Sequence, residues 1–132
     1  MKRDLEAIRR ILLSAENSEY RLFEIGHWSR CNEWNDEDFS LDSKFSDHEL
    51  YQIDKLFEAG YVKKDSDEHG FSYFEITWIG HDYLDAIRNG TVWEQTTRAL
   101  AENGGSMTLE VVKALALGFA KKQLEKHTGL EL

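Results

Sequence analysis

The stretch that most narrows the fold is "SDHELYQIDKLFEAGYVKKDSDEHGFSYFEITWIGHDYLDAIR", residues 46–88. Ser46 followed three residues later by Glu49 is a capping box, in which each side chain satisfies a backbone amide at the start of a helix. Leu50, Ile53 and Phe57, helped by Leu56, form an apolar face at helical spacing, and Gly60 supplies the left-handed stop. "YVKKD" and "FSYFEITW" then read as two strands around the turn "SDEHG", where Gly70 permits a positive φ. The chain re-enters helix at "IGHDYLDAIR". Thr77 is the expected cap, Gly80 lets helix and strand approach, and Ile79, Tyr83, Leu84 and Ile87 are expected to face inward. A helix, a glycine stop, a hairpin and a second helix therefore follow one another without a spare residue.

The flanks add further helices. Leu5, Ile8, Leu12 and Ala15, with Ile11 widening the stripe, predict an amphipathic first helix ending near "AENSE". "YRLFEIGHWS" can be read as extended, but "RCNEWNDEDFSLDSKF" is polar and lacks clear periodicity, so residues 19–45 are read as irregular, with room for a short helix. Asn89-Gly90 closes the helix before it, and Thr91 with Glu94 makes a second capping box opening "TVWEQTTRALAEN". Gly104-Gly105 is the one flexible joint. A last helix runs from about Thr108 to Lys126, with Leu109, Val112, Ala116 and Phe119 on one face. Small residues at Ala114 and Gly118, with Ala116 and Ala120 on a neighbouring row, permit close helix packing and offer a homodimerisation element. At 132 residues one proper core is expected.

Helix, link, helix, hairpin, helix is the winged-helix order. The expected fold class is mainly α with a small β-hairpin (α+β): a winged-helix-like domain over residues 1–103 with an additional C-terminal helix, 104–132, packed on it or used for dimerisation. The segments "MKRDLEAIRRILL", "LFEAGYV", "ITWIGHDYLDAIRNGTVWEQT" and "GGSMTLEVVKALALGFAKKQL" recur in order over about two-thirds of the chain. In them it resembles a family of short uncharacterised bacterial and phage proteins known only as a domain of unknown function. The resemblance implies a winged-helix-like fold and frequent residence in prophages or mobile elements. It implies no catalytic residues. The acidic stretch 31–45 resembles the family least.

Charge then bears on partners. The net charge is −9 and it is uneven: residues 31–60 carry nine acidic and two basic groups, while residues 1–30 come to +1. Affinity for nucleic acid rests on Lys and Arg neutralising phosphates, and this balance opposes it. The helix in the recognition position exposes Asp47, His48, Glu49, Tyr51, Gln52, Asp54, Lys55 and Glu58, of which four are acidic and one is basic. The wing tip holds Asp65, Asp67 and Glu68. No apolar run approaches the roughly 18 residues of a membrane span, and no secretory leader is expected. A single Cys, Cys31, excludes an internal disulfide framework and suits a reducing cytosol.

His81 and Asp85 stand at i, i+4, a spacing that lets both ligate one metal. A zinc site needs a third and fourth ligand, and His27, Cys31, His48 and His69 are dispersed. The stretch is better explained structurally, with Asp82 in a first turn and Asp85–Arg88 a surface pair. No phosphate loop, nucleophile elbow, paired Cys or zinc-protease motif is present. The chain is read as non-enzymatic, without cofactor or metal. A protein partner is expected on an acidic surface comprising Trp34, Asp36, Glu37, Asp38, Asp47, Glu49, Tyr51 and Asp54, with Trp28 and Trp34 bordering the acidic block. The alternative is a DNA-binding regulator using Arg3, Arg9, Arg10, Lys63 and Lys64.

Overall fold

The computed structural model describes residues 1–30, 39–104, 108–129 and 131. The elements are α1 (Leu5–Glu16), β1 (Phe23–Arg30), β2 (Phe39–Asp42), α2 (Asp47–Glu58), β3 (Val62–Ser66), β4 (Phe71–Ile76), α3 (Trp78–Ile87), α4 (Gly90–Glu102) and α5 (Leu109–Thr128). The chain divides into two compact units, Met1–Gly80 and His81–Leu132.

In the first unit the four strands form one antiparallel sheet in the order β2-β1-β4-β3. This is larger than the hairpin expected from sequence. The hairpin is there as β3 and β4, but β1 and β2 come from residues 19–45, for which the sequence pattern predicts irregular structure. The reason lies at Gly26. The β1–β4 register shifts between Glu24 and Gly26, and such a bulge breaks the period-two alternation by which a strand is recognised. A Cβ at Gly26 would sit 2.5 Å from the Asp42 carbonyl oxygen, so only glycine lets β2 come this close.

One side of the sheet carries the core. Ala7, Ile8, Ile11 and Leu12 of α1, Ile53 and Leu56 of α2, Ile25 of β1, Val62 of β3, and Phe74 and Ile76 of β4 are all buried. The capping box forms as expected: the Ser46 hydroxyl accepts from the Glu49 amide at 3.2 Å and Glu49 Oε1 accepts from the Ser46 amide at 3.1 Å. Gly60 and Gly70 both take the left-handed backbone expected of them.

Two positions on α2 reverse their expected roles. Phe57, placed on the buried face, is 48% exposed, whereas Gln52, placed on the outer face, is fully buried. Gln52 is satisfied where it lies: its Oε1 accepts from the Asp4 amide at 2.8 Å and its Nε2 donates to the Lys2 carbonyl at 3.0 Å. A buried amide with both ends bonded to backbone costs little and orients the segment it holds.

The start of α3 confirms Thr77 as a cap, its hydroxyl accepting from the Gly80 amide at 3.2 Å while donating to the Gly60 carbonyl at 2.6 Å. Tyr83, Leu84 and Ile87 are buried as expected, but Ile79 is 51% exposed. In the second unit α4 packs on α5, and Val92, Trp93, Thr96, Leu100, Leu109, Val112 and Ala116 are buried. The cap of α4 is Asn89, not Thr91. The Asn89 side chain accepts from the Thr91 and Val92 amides, both at 3.0 Å. No helix among the described residues is long and apolar enough to cross a membrane.

Candidate functional site

Two surfaces of the first unit gather charged and aromatic side chains. One is the face of α2 expected to be acidic. Asp47 is exposed at the start of the helix. Glu49, besides its capping role, lies 3.6 Å from Arg10 of α1. The Ser46 amide is the main cause holding its carboxyl below the usual range; burial pushes the other way, and Arg10 adds to the lowering. Asp54 is paired with Lys64 of β3, and Glu58 with Lys55 at 2.9 Å. Lys55 also lies 5.2 Å from the centre of the Tyr51 ring, and Lys64 the same distance from that of Phe57. At the helix start His48 and Asp4 meet at 2.9 Å.

The structure thus brings together two residue sets that sequence reading had kept as alternatives. Arg10 and Lys64, from the nucleic-acid set, are paired with Glu49 and Asp54, from the protein-binding set. Lys63 reaches Glu75 at 3.8 Å. Arg3 and Arg9 on α1 are also engaged within the chain. Trp34, Asp36, Glu37 and Asp38 lie outside the described residues. In the second unit His81 is exposed and Asp85 pairs with Arg88 at 2.6 Å, as the spacing predicted. On α5, Ala114 and Gly118 are exposed and Ala116 is buried. Among the described residues, no group of three or more His, Cys, Asp or Glu is placed to hold a metal ion.

The other surface is the outer face of the sheet, which sequence reading missed. Val62, Phe74 and Ile76 point to the core, so their neighbours Lys63, Asp65, Phe71, Tyr73 and Glu75 point away. His27 of β1 pairs with Phe71 of β4, and their ring centres are 4.5 Å apart; Tyr73 stacks on Phe71 at 6.3 Å. Three rings therefore run in a row across the two central strands. Register places Glu24 and Asp65 on either side of Tyr73. The Tyr73 hydroxyl donates to Asp67 at 3.2 Å. Partial burial, then that carboxylate, pushes the Tyr73 phenol above its usual range. Burial also works to raise Asp67, but the Phe71 and His69 amides and the Tyr73 hydroxyl outweigh it and leave its carboxyl lowered.

Beside β1 the same face opens into a cleft of about 380 Å³ lined by Glu24, His27, Asp42, Ser43, Lys44 and Phe71 among others. The His27 ring is fixed by a 2.9 Å contact between its Nε2 and the His69 carbonyl. Lys44 lies over the Phe23 ring at 4.4 Å and near Phe45 at 5.6 Å. Alternation in "FSYFEI" shows that Phe71, Tyr73 and Glu75 share a face. His27 and Glu24 join them only through the β1 register, which the bulge conceals.

A family described as "Hypothetical protein (DUF2513)" matches residues 2–106 of the chain. The chain belongs to this family. An uncharacterized protein of Haemophilus influenzae is 37% identical over 41 residues, 31% of this chain and 35% of that protein. The chain thus spans about a third of the length of the curated relative it matches. No solved structure matches it. Neither description names an activity, ligand or partner.

Proposed function

We propose that this member of the family is a non-enzymatic, winged-helix-like protein that works by binding another protein through an acidic surface. The observation that carries this reading is the ion pairing around α2. A winged helix that reads DNA needs free cations on this helix and on the following strand to meet phosphates. Here Arg10, Lys55 and Lys64 each lie against a carboxylate of the chain itself. A duplex would have to displace Glu49, Glu58 and Asp54 from them, while Asp65, Asp67 and Glu68 at the hairpin turn repel its phosphates. Among the described residues, the element before α2 is the strand β2, where a DNA-reading winged helix carries the first helix of its two-helix unit. A basic protein meets the opposite situation, because the excess carboxylates attract it and steer its approach.

In keeping with the phage and mobile-element resemblance, the partner we favour is a host nucleic-acid-binding protein whose basic surface this chain occupies. The experiment is a pair of binding measurements with the purified full chain. A labelled mixed-sequence DNA duplex at low salt is expected to give no anisotropy change, and a nuclease-treated bacterial lysate is expected to yield a stoichiometric protein partner released by salt. A tight, salt-dependent duplex complex that weakens on Arg9→Glu with Arg10→Glu would establish the DNA-binding reading instead.

A further inference from the structure

Among the described residues, no element covers the outer face of the sheet, and its charges select what fits it. We infer that the cleft beside β1, with the ring row His27, Phe71 and Tyr73, receives an arginine side chain presented by a protein partner. This rests on the protein-binding reading above and gives it a location that the reading alone does not.

The rings come first. Antiparallel sheets with one solvated face normally present polar side chains there. Here the two central strands instead offer three aromatic faces in contact with one another. Rings on a sheet face suit either a base of single-stranded nucleic acid or a flat cation. The surrounding charges decide between them. Glu24 and Asp42 line the cleft, Asp65 stands across from Tyr73, and Asp67 holds its hydroxyl. Among the described residues, Arg21 and Lys63 both lie against Glu75, at 3.2 and 3.8 Å, and Lys44, which lines the cleft, lies over Phe23 and is outnumbered there by Glu24 and Asp42. A phosphodiester stacked on this row would bring its charge against carboxylates. A guanidinium would meet ring faces and carboxylates together.

Arginine fits better than lysine for two reasons. Its planar head is weakly hydrated and stacks on rings, and its fork of donors matches a carboxylate. At about 380 Å³ the cleft is at the small end of ligand pockets, which suits a side chain rather than a whole cofactor. The carbonyl of His69 holds the His27 ring in place before the ligand arrives, so little ordering remains to be done on binding.

The test is an NMR titration of the ¹⁵N-labelled full chain with an acetylated Gly-Arg-Gly-Arg-Gly peptide, with the Glu-substituted peptide as control. Amides of residues 24–27, 42–44 and 71–73 are expected to shift with the arginine peptide and not with the control. Glu24→Lys with Asp42→Lys should weaken binding at least tenfold. Phe71→Leu, which keeps apolar volume and loses the ring, should weaken it several-fold; both variants are checked for a native amide spectrum first. Asp47→Lys, on α2, should change affinity less than twofold. Shifts confined to α2, with binding abolished by Asp47→Lys, would overturn this site and leave the acidic-surface reading standing. Absence of any shift from the arginine peptide would overturn the site. Shifts of the same sheet residues on adding single-stranded oligodeoxynucleotide, without any from the peptide, would overturn the site and count against the protein-binding reading as well.

Discussion

Gln52 on α2 holds the backbone at the start of α1: its side chain accepts from the Asp4 amide and donates to the Lys2 carbonyl. Asp4 in turn is the N-cap of α1, accepting from the Ala7 amide at 3.1 Å. One buried side chain thus fixes where the first helix begins and ties it to the second. Gln52→Leu keeps most of the volume but leaves both backbone groups without their partner. The expected loss is about 1–3 kcal/mol, read as a lower urea midpoint at unchanged slope. Gln52→Glu is expected to lose stability as well, because a carboxylate cannot donate to the Lys2 carbonyl.

Gly80 lies against Tyr61, the residue just before β3. A Cβ there would overlap the Tyr61 carbonyl oxygen and come within 2.8 Å of Ile76 Cγ2. The Thr77 amide already donates to the same carbonyl at 3.0 Å, so the backbone has little room to retreat. Gly80→Ala should destabilise by about 1–3 kcal/mol, the usual cost of forcing extra volume into a packed site. Gly118→Ala makes a clean comparison: nothing lies within 4 Å of a Cβ there, and the residue is exposed within α5. That change should stabilise by about 0.5–1 kcal/mol through helix propensity. Thermal unfolding of the two variants side by side gives opposite signs if the packing is as described.

The start of α4 distinguishes two capping arrangements. Asn89 accepts from two amides of the first turn, while Thr91 is exposed and stands inside the helix. Asn89→Ala should cost about 1 kcal/mol. Thr91→Ala should change stability by less than about 0.5 kcal/mol, as expected of a surface site. The reverse order in chemical denaturation would place the cap at Thr91.

These positions mark where the sequence was readable. Ser46 with Glu49, Gly60, and Asp85 with Arg88 act over three or four residues, so spacing alone identifies them. Thr91 with Glu94 had the same spacing but lost to Asn89, whose short amide side chain can cap from two residues earlier. Gln52 looked like a surface residue because its partners lie 48 and 50 residues away. β1 was obscured by a single bulge, and the outer-face ring row was obscured with it, since His27 meets Phe71 only through that strand's register. The acidic character of α2 was readable in full, but its pairing with Arg10 and Lys64 was not. Those contacts belong to α1 and β3 packing beside α2 and have no signature in the helix itself.

The same helix start sets the response to acid. The His48 side chain is the main cause holding the Asp4 carboxyl below its ordinary value of 3.8, followed by the Ala7 amide; burial acts in the other direction. Glu49 is likewise held below its ordinary 4.5, chiefly by the Ser46 amide. A carboxyl with a lowered pKa in the folded chain binds fewer protons there than in the unfolded chain. Its contribution to stability is therefore complete above its ordinary value and is lost as pH falls through the lowered one. Urea midpoints should fall as pH drops from about 5 to about 3, with Asp4 and Glu49 contributing to the slope. Asp4→Asn with Glu49→Gln keeps side chains able to cap through neutral oxygens while removing both charges. That variant should be less stable than the parent above about pH 5 and converge on it as pH falls below the ordinary carboxyl values of 3.8 and 4.5. Parallel curves over the whole range would show that these two carboxyls titrate alike in the folded and unfolded chain.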